Sequence, residues 1–408
     1  MAVKVTKPKV NIRQKLTELD IPKGAHGTQL VASRSAAETF DIVRAGRKNL
    51  LYNGEMQINQ RGNVTGVTGN QYGGPDRWKT MCASCGTWGI SQDTDVPVGQ
   101  GFYKSLKLDC EASRASLAAG SALSIAQYLE GYDVAHLAWG NPEAKDLTLS
   151  FWLKTDNNVT GTFVVLVRNH GGGRVLNRQV RVNREGGWNR YIVSIPADKG
   201  SAFTYGNTKQ LEIKFTFEAG SNAGGGASGG SMLHQWLAFH NAHTGVGCDL
   251  RLADSTGNNL WLTGVQLEAG NEPTTYDHRS YGEELRLCQR YFAVYHPTSQ
   301  ERIYIEGSAT NHRWWEHPIP AGMRTEPSIT KGGTCSSLSI GMAGGFTING
   351  LSITGVDNGG SGGTTHPGSM GNVSYRVSTT GTGGSQYSVR HTDGWENGAG
   401  WIEMDAEL

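Results

Sequence analysis

Apolar residues recur at every second position in many short runs, and this pattern leaves room for little other than an all-β fold. In the stretch 147–154, Leu147, Leu149, Phe151 and Leu153 share one face, while Thr148, Ser150, Trp152 and Lys154 share the other. The stretch 211–218 repeats the arrangement, with Leu211, Ile213, Phe215 and Phe217 inward and Glu212, Lys214, Thr216 and Glu218 outward. Tyr191, Val193 and Ile195 alternate and stop at Pro196, and 163–167 is apolar throughout, as in a strand covered on both faces. In 260–268 the inward set is Leu260 and Leu262, then Val265 and Leu267; the phase slips by one at Thr263-Gly264, the signature of a β-bulge. Short strands at this spacing, with no alternating helices, predict an antiparallel sandwich and exclude a parallel α/β sheet.

Composition agrees. Glycine makes up 57 of the 408 residues and charged residues only 18%. Without a G-X-Y period this is not collagen, and it suits tight turns between strands. The absence of a fixed-period repeat excludes a propeller or a β-helix. The length predicts two or three domains. Residues 1–48 carry ten Lys and Arg against four Asp and Glu, a basic arm too poor in apolar residues to form its own core. Within it Ser35-Ala-Ala-Glu38 is a capping box opening one short helix that Gly46 ends. The segment 220–230 is a surface loop inside the large sandwich, and 280–292 has helical spacing at Leu285, Cys288 or Gln289, and Phe292. Beyond it, 302–306, 345–353, 372–378, 386–391 and 401–408 read as strands, the last reaching the end of the chain. The divisions are therefore an arm and short helix at 1–48, a large sandwich at 49–279, a connecting helix at 280–292 and a smaller sandwich at 293–408.

Chemistry is sparse. The net charge of +1 makes no case for nucleic acid as a partner. The N-terminus lacks an apolar signal core and no 18-residue apolar run occurs, so synthesis in a cytoplasm is expected. Of six cysteines only Cys82-Ala-Ser-Cys85 has metal-like spacing, and no second pair follows, so reduced, buried thiols are expected rather than zinc. Gly226-Ala-Ser-Gly-Gly230 matches a nucleophile elbow by letters but lies in a low-complexity stretch. Asp93 and Asp95, and Asp405 and Glu407, are acid pairs of the kind glycosidases use, though solvated surface acids are far commoner. No enzymatic activity is expected.

Three strings, RKNLLYNGEMQINQRG at 47–62, LTLSFWLKT at 147–155 and LTGVQLEAG at 262–270, followed by YDHRSYGEELRLCQRYF at 276–292, resemble the jelly-roll, carbohydrate-binding-module-like domain of phage tail fibres and related virion appendages. The likeness spans about 45–292 and reads the three strings as the first, a central and the last strand of the sandwich. The strings KPKVNIRQKLTELDIPKG and AETFDIVRAGRKNLL resemble the virion-attachment leader of tail-fibre-like proteins of marine podophages. The resemblance implies a non-enzymatic virion protein, a homotrimer made in the host cytoplasm. It would attach to phage virion proteins, tail or portal-proximal, by its N-terminus and bind host surface polysaccharide. Lys7, Lys9, Arg13, Lys15 and Phe40 are the candidate virion contacts. A decoration protein of head, neck or tail with a purely structural role shares nearly all of this pattern. A glycan-degrading tailspike would want a repetitive β-helix, and a secreted enzyme accessory module a signal peptide.

Trp152 and Trp261 interrupt the polar phase of their strands. Each is a candidate sugar platform, since a pyranose lies flat on an aromatic ring, or a ring packed beneath a loop or another subunit. Trp188, after two glycines, reads as a structural plug. Trp314 and Trp315, in a cluster with two His, an Arg and a Glu, and Trp395 and Trp401, flanking a glycine-rich turn, are further candidates. Asn53-Gly54-Glu55 resembles the family's first-strand segment, near which such modules hold structural calcium; Glu55 is the sole candidate ligand seen, so no metal or other cofactor is assigned.

Overall fold

The computed structural model describes residues 48–156, 159–182, 186–224, 233–295, 303–305, 312–318, 322–325, 327–333, 348–357, 372–379, 387–389 and 400–408; beyond Val294, side chains are described only at 322–325, 327–328 and 403–408. The arm, with Lys7, Lys9, Arg13, Lys15 and Phe40, and the tip of the glycine-rich loop lie outside the described residues, as does Trp395.

Two antiparallel sheets face each other in a jelly-roll β-sandwich. In spatial order the six-stranded sheet is β1 (Val64–Val67), β4 (Thr87–Asp93), β5 (Ser105–Ala112), β13 (Asn259–Ala269), β7 (Leu147–Thr155) and β10 (Asn189–Ile195). The seven-stranded sheet is β12 (Leu237–Ala238), β9 (Arg174–Val182), β8 (Gly161–Asn169), β11 (Lys209–Ala219), β6 (Ala122–Glu130), β3 (Lys79–Ala83) and β2 (Gln71–Tyr72). The inward phases meet in one core: Leu147, Leu149, Phe151 and Leu153 from β7 pack with Leu211, Ile213, Phe215 and Phe217 from β11. Phe151 sets its ring edge-on to Phe215 at 5.0 Å and to Phe163 of β8 at 6.1 Å, within the range where aromatic pairs attract. Every residue of 163–167 is buried, because loop residues around Cys248 cover the outer side of Val164.

The bulge is present. β13 pairs Thr263 with Trp152, then Gln266 with Ser150, and Gly264 at the slip has φ +60°, a conformation that suits glycine. Leu260, Leu262, Val265 and Leu267 all reach the core across it.

The segment 49–62, expected as the first strand, is irregular. It lies beside β13 where the pairing with β5 ends at Leu262. Leu50 N–H donates to Leu267 O at 2.8 Å and Val265 N–H to Gly54 O at 2.9 Å. The Asn49 side chain donates to Val265 O (2.9 Å) and accepts from Leu267 N–H (3.0 Å). Asn53 (φ 52°) and Met56 (φ 60°) then turn the chain out of the extended region, and the Asn53 side chain bonds Ile58 N–H, Ile58 O and Asp76 O in place of a ladder. Gly54 is required here: a Cβ would sit 2.2 Å from Val265 O.

Helix α1 (Gly131–Val134) follows β6. Helix α2 (Tyr281–Gln289), capped by Ser280, falls within the predicted 280–292. The C-terminal strands form three small antiparallel sheets. These are β14 (Phe292–Tyr295), β21 (Gly400–Asp405) and β17 (Ser328–Gly333); β15 (Ile303–Ile305) and β20 (Tyr387–Val389); and β16 (His312–Pro318), β19 (Asn372–Thr379) and β18 (Ile348–Asp357). The last strand ends at Asp405, short of the chain terminus, because the residues after it turn to the body instead of pairing. Glu407 forms ion pairs with Arg61 (3.2 Å) and with the fully buried Arg77, and Ala406 N–H donates to Tyr291 O at 2.7 Å. Asn49–Leu408 is one compact unit.

Candidate functional site

The outer face of the six-stranded sheet carries Trp152 and Trp261, and the Trp261 ring is covered. Trp261 stands between Lys154 of β7 and Lys107 of β5, its register partners. Their ammonium groups lie 4.8 and 5.6 Å from the indole, close enough for cation–π attraction. The indole N–H donates to Asp93 at 3.2 Å, and the residue is only 8% exposed. Trp152, half-buried, lies at the bulge together with Phe102: a Cβ on Gly264 would meet Phe102 at 2.6 Å and Trp152 at 3.0 Å. Trp188 donates its N–H to Asp95 Oδ1 at 2.9 Å, and Lys154 pairs with Asp95 Oδ2 at 2.5 Å. The acid pair 93/95 thus anchors two indoles and a lysine. Burial acts against the charge on Asp93, but the Asp95 and Thr94 N–H groups, Trp261 and Lys107 outweigh it and hold the carboxyl below its ordinary value.

The other candidates are dispersed. Trp314 and Trp315 occupy β16 opposite Arg376 and Tyr375 of β19, and Trp401 in β21 faces Gly332 of β17. Glu55 accepts from Gln57 (2.7 Å) and contacts His278 (3.0 Å). Among the described residues no group of three or more His, Cys, Asp or Glu is placed to hold a metal ion, and Cys82, Cys85, Cys110, Cys248 and Cys288 are free and buried.

The opposite face, on the seven-stranded sheet, holds a groove of about 420 Å³. Strand pairing sets its floor. Tyr128 of β6 lies across from Glu212 of β11, and Glu212 across from Arg168 of β8, so three strands contribute one continuous row. His170, just past the end of β8, reaches Glu212 Oε2 with Nε2 at 2.9 Å and sets its ring near the Tyr128 ring, 6.1 Å between centroids. Lys214, one row along, approaches Glu212 Oε1 at 4.0 Å. Residues after β11 and after β12 form a wall, with Asn222, Phe239, Asn241 and Thr244 lining the groove. Phe239 is fixed by its N–H donating to Gly173 O at 2.7 Å, and the Arg168 guanidinium stacks 3.4 Å from its ring.

The electrostatics of the groove follow from that packing. Burial raises the cost of ionising Glu212, yet the His170 hydrogen bond and the charges of Lys214, His170 and Arg168 more than offset it, keeping the carboxyl below its ordinary value. Burial depresses the Lys214 ammonium; Glu212 counters this and Arg168 adds to it. The arrangement offers an aromatic wall, a fixed carboxylate acceptor and several N–H donors around a space of ligand size.

None of these groove residues stood out in the sequence as a site. Glu212 and Lys214 were legible as the outward phase of β11, but outward charge is what any solvated strand shows. The one distinguishing signal is Arg168 at the end of the apolar run 163–167, where a sheet-face cation follows a strand buried on both sides.

No protein-family model and no curated protein sequence matches the chain. Among solved structures, similarity is found to the enzymatically active domain of bacteriophage CBA120 tailspike protein 4 (TM-score 0.30, 13% identity, 54% of this chain and 21% of that one). It is also found to the CBM22-1 xylan-binding domain of Paenibacillus barcinonensis Xyn10C (TM-score 0.27, 12% identity, 56% and 100%) and to TmCBM61 in complex with β-1,4-galactotriose (TM-score 0.27, 10% identity, 55% and 99%). The chain spans about a fifth of the tailspike structure's length. With scores this low, the functional reading rests on the chain's own residues.

Proposed function

We propose that this chain is a non-catalytic, glycan-binding subunit of a phage virion appendage, and that saccharide occupies the groove on the seven-stranded sheet. The observation that carries the reading is the row Tyr128–Glu212–Arg168 with His170 and Phe239 around it. Ligand sites pair a few convergent polar groups with aromatic surface in a volume of ~300–1,000 Å³, and the groove has about 420 Å³. Two features support a binding rather than a catalytic role. Asp93 and Asp95 are engaged by Trp261, Trp188 and Lys154, and Asp405 and Glu407 by Arg61 and Arg77. Attachment to the particle through the N-terminal arm, and assembly as a homotrimer, belong to the same proposal and are supported by the resemblance of the leader strings. Many weak sites on a symmetric appendage would combine by avidity.

The test is binding of the full chain to an array of bacterial surface polysaccharides, beside Glu212→Gln and His170→Ala variants and with released reducing ends assayed in parallel. Binding that drops at least tenfold in both variants, with no new reducing ends, is expected. Binding unchanged in both variants would place the site elsewhere, and turnover abolished by changing one carboxylate would make the chain an enzyme.

A further inference from the structure

The groove holds more positive charge than its own carboxylate can neutralise. Glu212 is already shared by His170 at 2.9 Å and Lys214 at 4.0 Å. Arg168 is held by Phe239 on its flat face, and its buried Nε has no hydrogen-bond partner among the described residues. Lys209 opens β11 at the rim and lies 5.3 Å from the Tyr128 ring, bringing a third cation to the same space. Like charges brought together at a partly desolvated site repel; burial is the main cause of the depressed basicity of Lys214, and Arg168 adds to it. Such a cluster is relieved by an anion, and a guanidinium suits a carboxylate or a sulfate ester, which it can engage with two parallel N–H groups.

Resting on the glycan-binding reading, we propose that the groove selects acidic saccharides, with the carboxylate or sulfate ester of the sugar seated between Arg168 and Lys214 and Lys209 at its approach. Neutral hydroxyls would still bond Glu212 and His170, so uncharged sugars retain a weaker interaction. Phe239 has two roles in this scheme: it walls the groove and fixes the guanidinium plane. A nucleic acid is also a polyanion, but a flat ring fixed by Arg168 leaves the groove without the run of free aromatic faces on which successive bases stack.

The experiment titrates the full chain with polygalacturonate, with its fully methyl-esterified neutral form, and with an oligo-dT strand, at two salt concentrations. The expected result is binding of polygalacturonate at least tenfold tighter than the ester, weakened by salt as charge pairing is screened, with oligo-dT weaker than polygalacturonate. Arg168→Gln and Lys214→Gln should each bring the two galacturonan forms within threefold of one another. The variant Lys209→Ala, at an exposed rim position, should reduce the difference partially and covers the case in which an interior variant fails to fold. Equal binding of the acidic and neutral forms by wild type would overturn the charge selection while leaving glycan binding intact. Absence of binding to any polysaccharide, acidic or neutral, would remove both. Oligo-dT binding as tightly as polygalacturonate would replace the saccharide with a general polyanion and overturn the proposal.

Discussion

The two outer faces of the sandwich hold similar residue types and use them in opposite ways. On the six-stranded sheet Trp261 and Trp188 donate to Asp93 and Asp95, and lysines lie over the Trp261 ring. On the seven-stranded sheet His170 and Lys214 share the Glu212 carboxylate, Arg168 and Lys209 line the same space, and the surface is recessed. The lesson is that a tryptophan on the polar phase of a strand marks an open platform only if its neighbours leave the ring uncovered. Here the cross-strand lysines do not, and the incomplete pairing lies on the face without tryptophans.

β11 condenses the same contrast into one strand. Glu212 and Glu218 are six residues apart, yet one carboxyl is held below its ordinary value and the other is raised from 4.5 to about 7. Desolvation by burial is the main cause that raises the Glu218 carboxyl; one oxygen accepts from Ala253 N–H at 2.7 Å, while the second is buried without a partner among the described residues. Glu212 is as buried but has His170 and Lys214 beside it. Partner supply rather than depth separates them.

The largest expected effect tests whether the six-stranded face is structural. Trp261→Ala should cost about 4 kcal/mol of unfolding free energy, as deleting a nearly buried indole does, while polysaccharide affinity stays within twofold of wild type. A variant that loses affinity without losing stability would restore the sugar platform on that face. The next effect isolates Glu218. Its folded-state pKa is raised, so the fold binds its proton more tightly than the unfolded chain. The protein is therefore most favoured below about pH 4.5 as far as this group is concerned, and loses on the order of 3 kcal/mol as pH rises to about 7. Glu218→Gln should flatten that segment of the stability–pH curve and raise stability at pH 8. Glu212 has the opposite sign: its contribution is present above its unfolded pKa and is lost as pH falls through its lower folded value. A smaller effect is expected for Lys154→Ala, which removes a partly exposed ion pair and one cation from the Trp261 ring. It should cost about 1 kcal/mol in denaturant titration; a cost near zero would make the ammonium a bystander.

Much of the fold was legible because it depends on local alternation. The inward sets of β7, β11 and β13 follow from residue identity at every second position, and the bulge at Thr263-Gly264 from a single phase slip. The segment 49–62 was misread as a strand because its apolar pair and its NG resemble one, whereas Asn49 and Asn53 replace ladder bonds with side-chain bonds that only the neighbouring β13 reveals. The candidate site was less legible. Tyr128, Arg168, His170, Glu212 and Phe239 come from β6, β8 and its end, β11 and a loop, and each alone is an ordinary outward residue. Strand order, which brings β6, β11 and β8 together, makes the row.

The comparison of the two faces reduces to one measurement: the dissociation constant for one polysaccharide bound by wild type, taken in the same buffer for Arg168→Ala on the groove and for Asp93→Asn beneath Trp261. The account predicts at least a tenfold loss for Arg168→Ala and less than a twofold change for Asp93→Asn, with both variants folded by circular dichroism. A loss confined to Asp93→Asn would contradict it and move the binding surface to the tryptophan face.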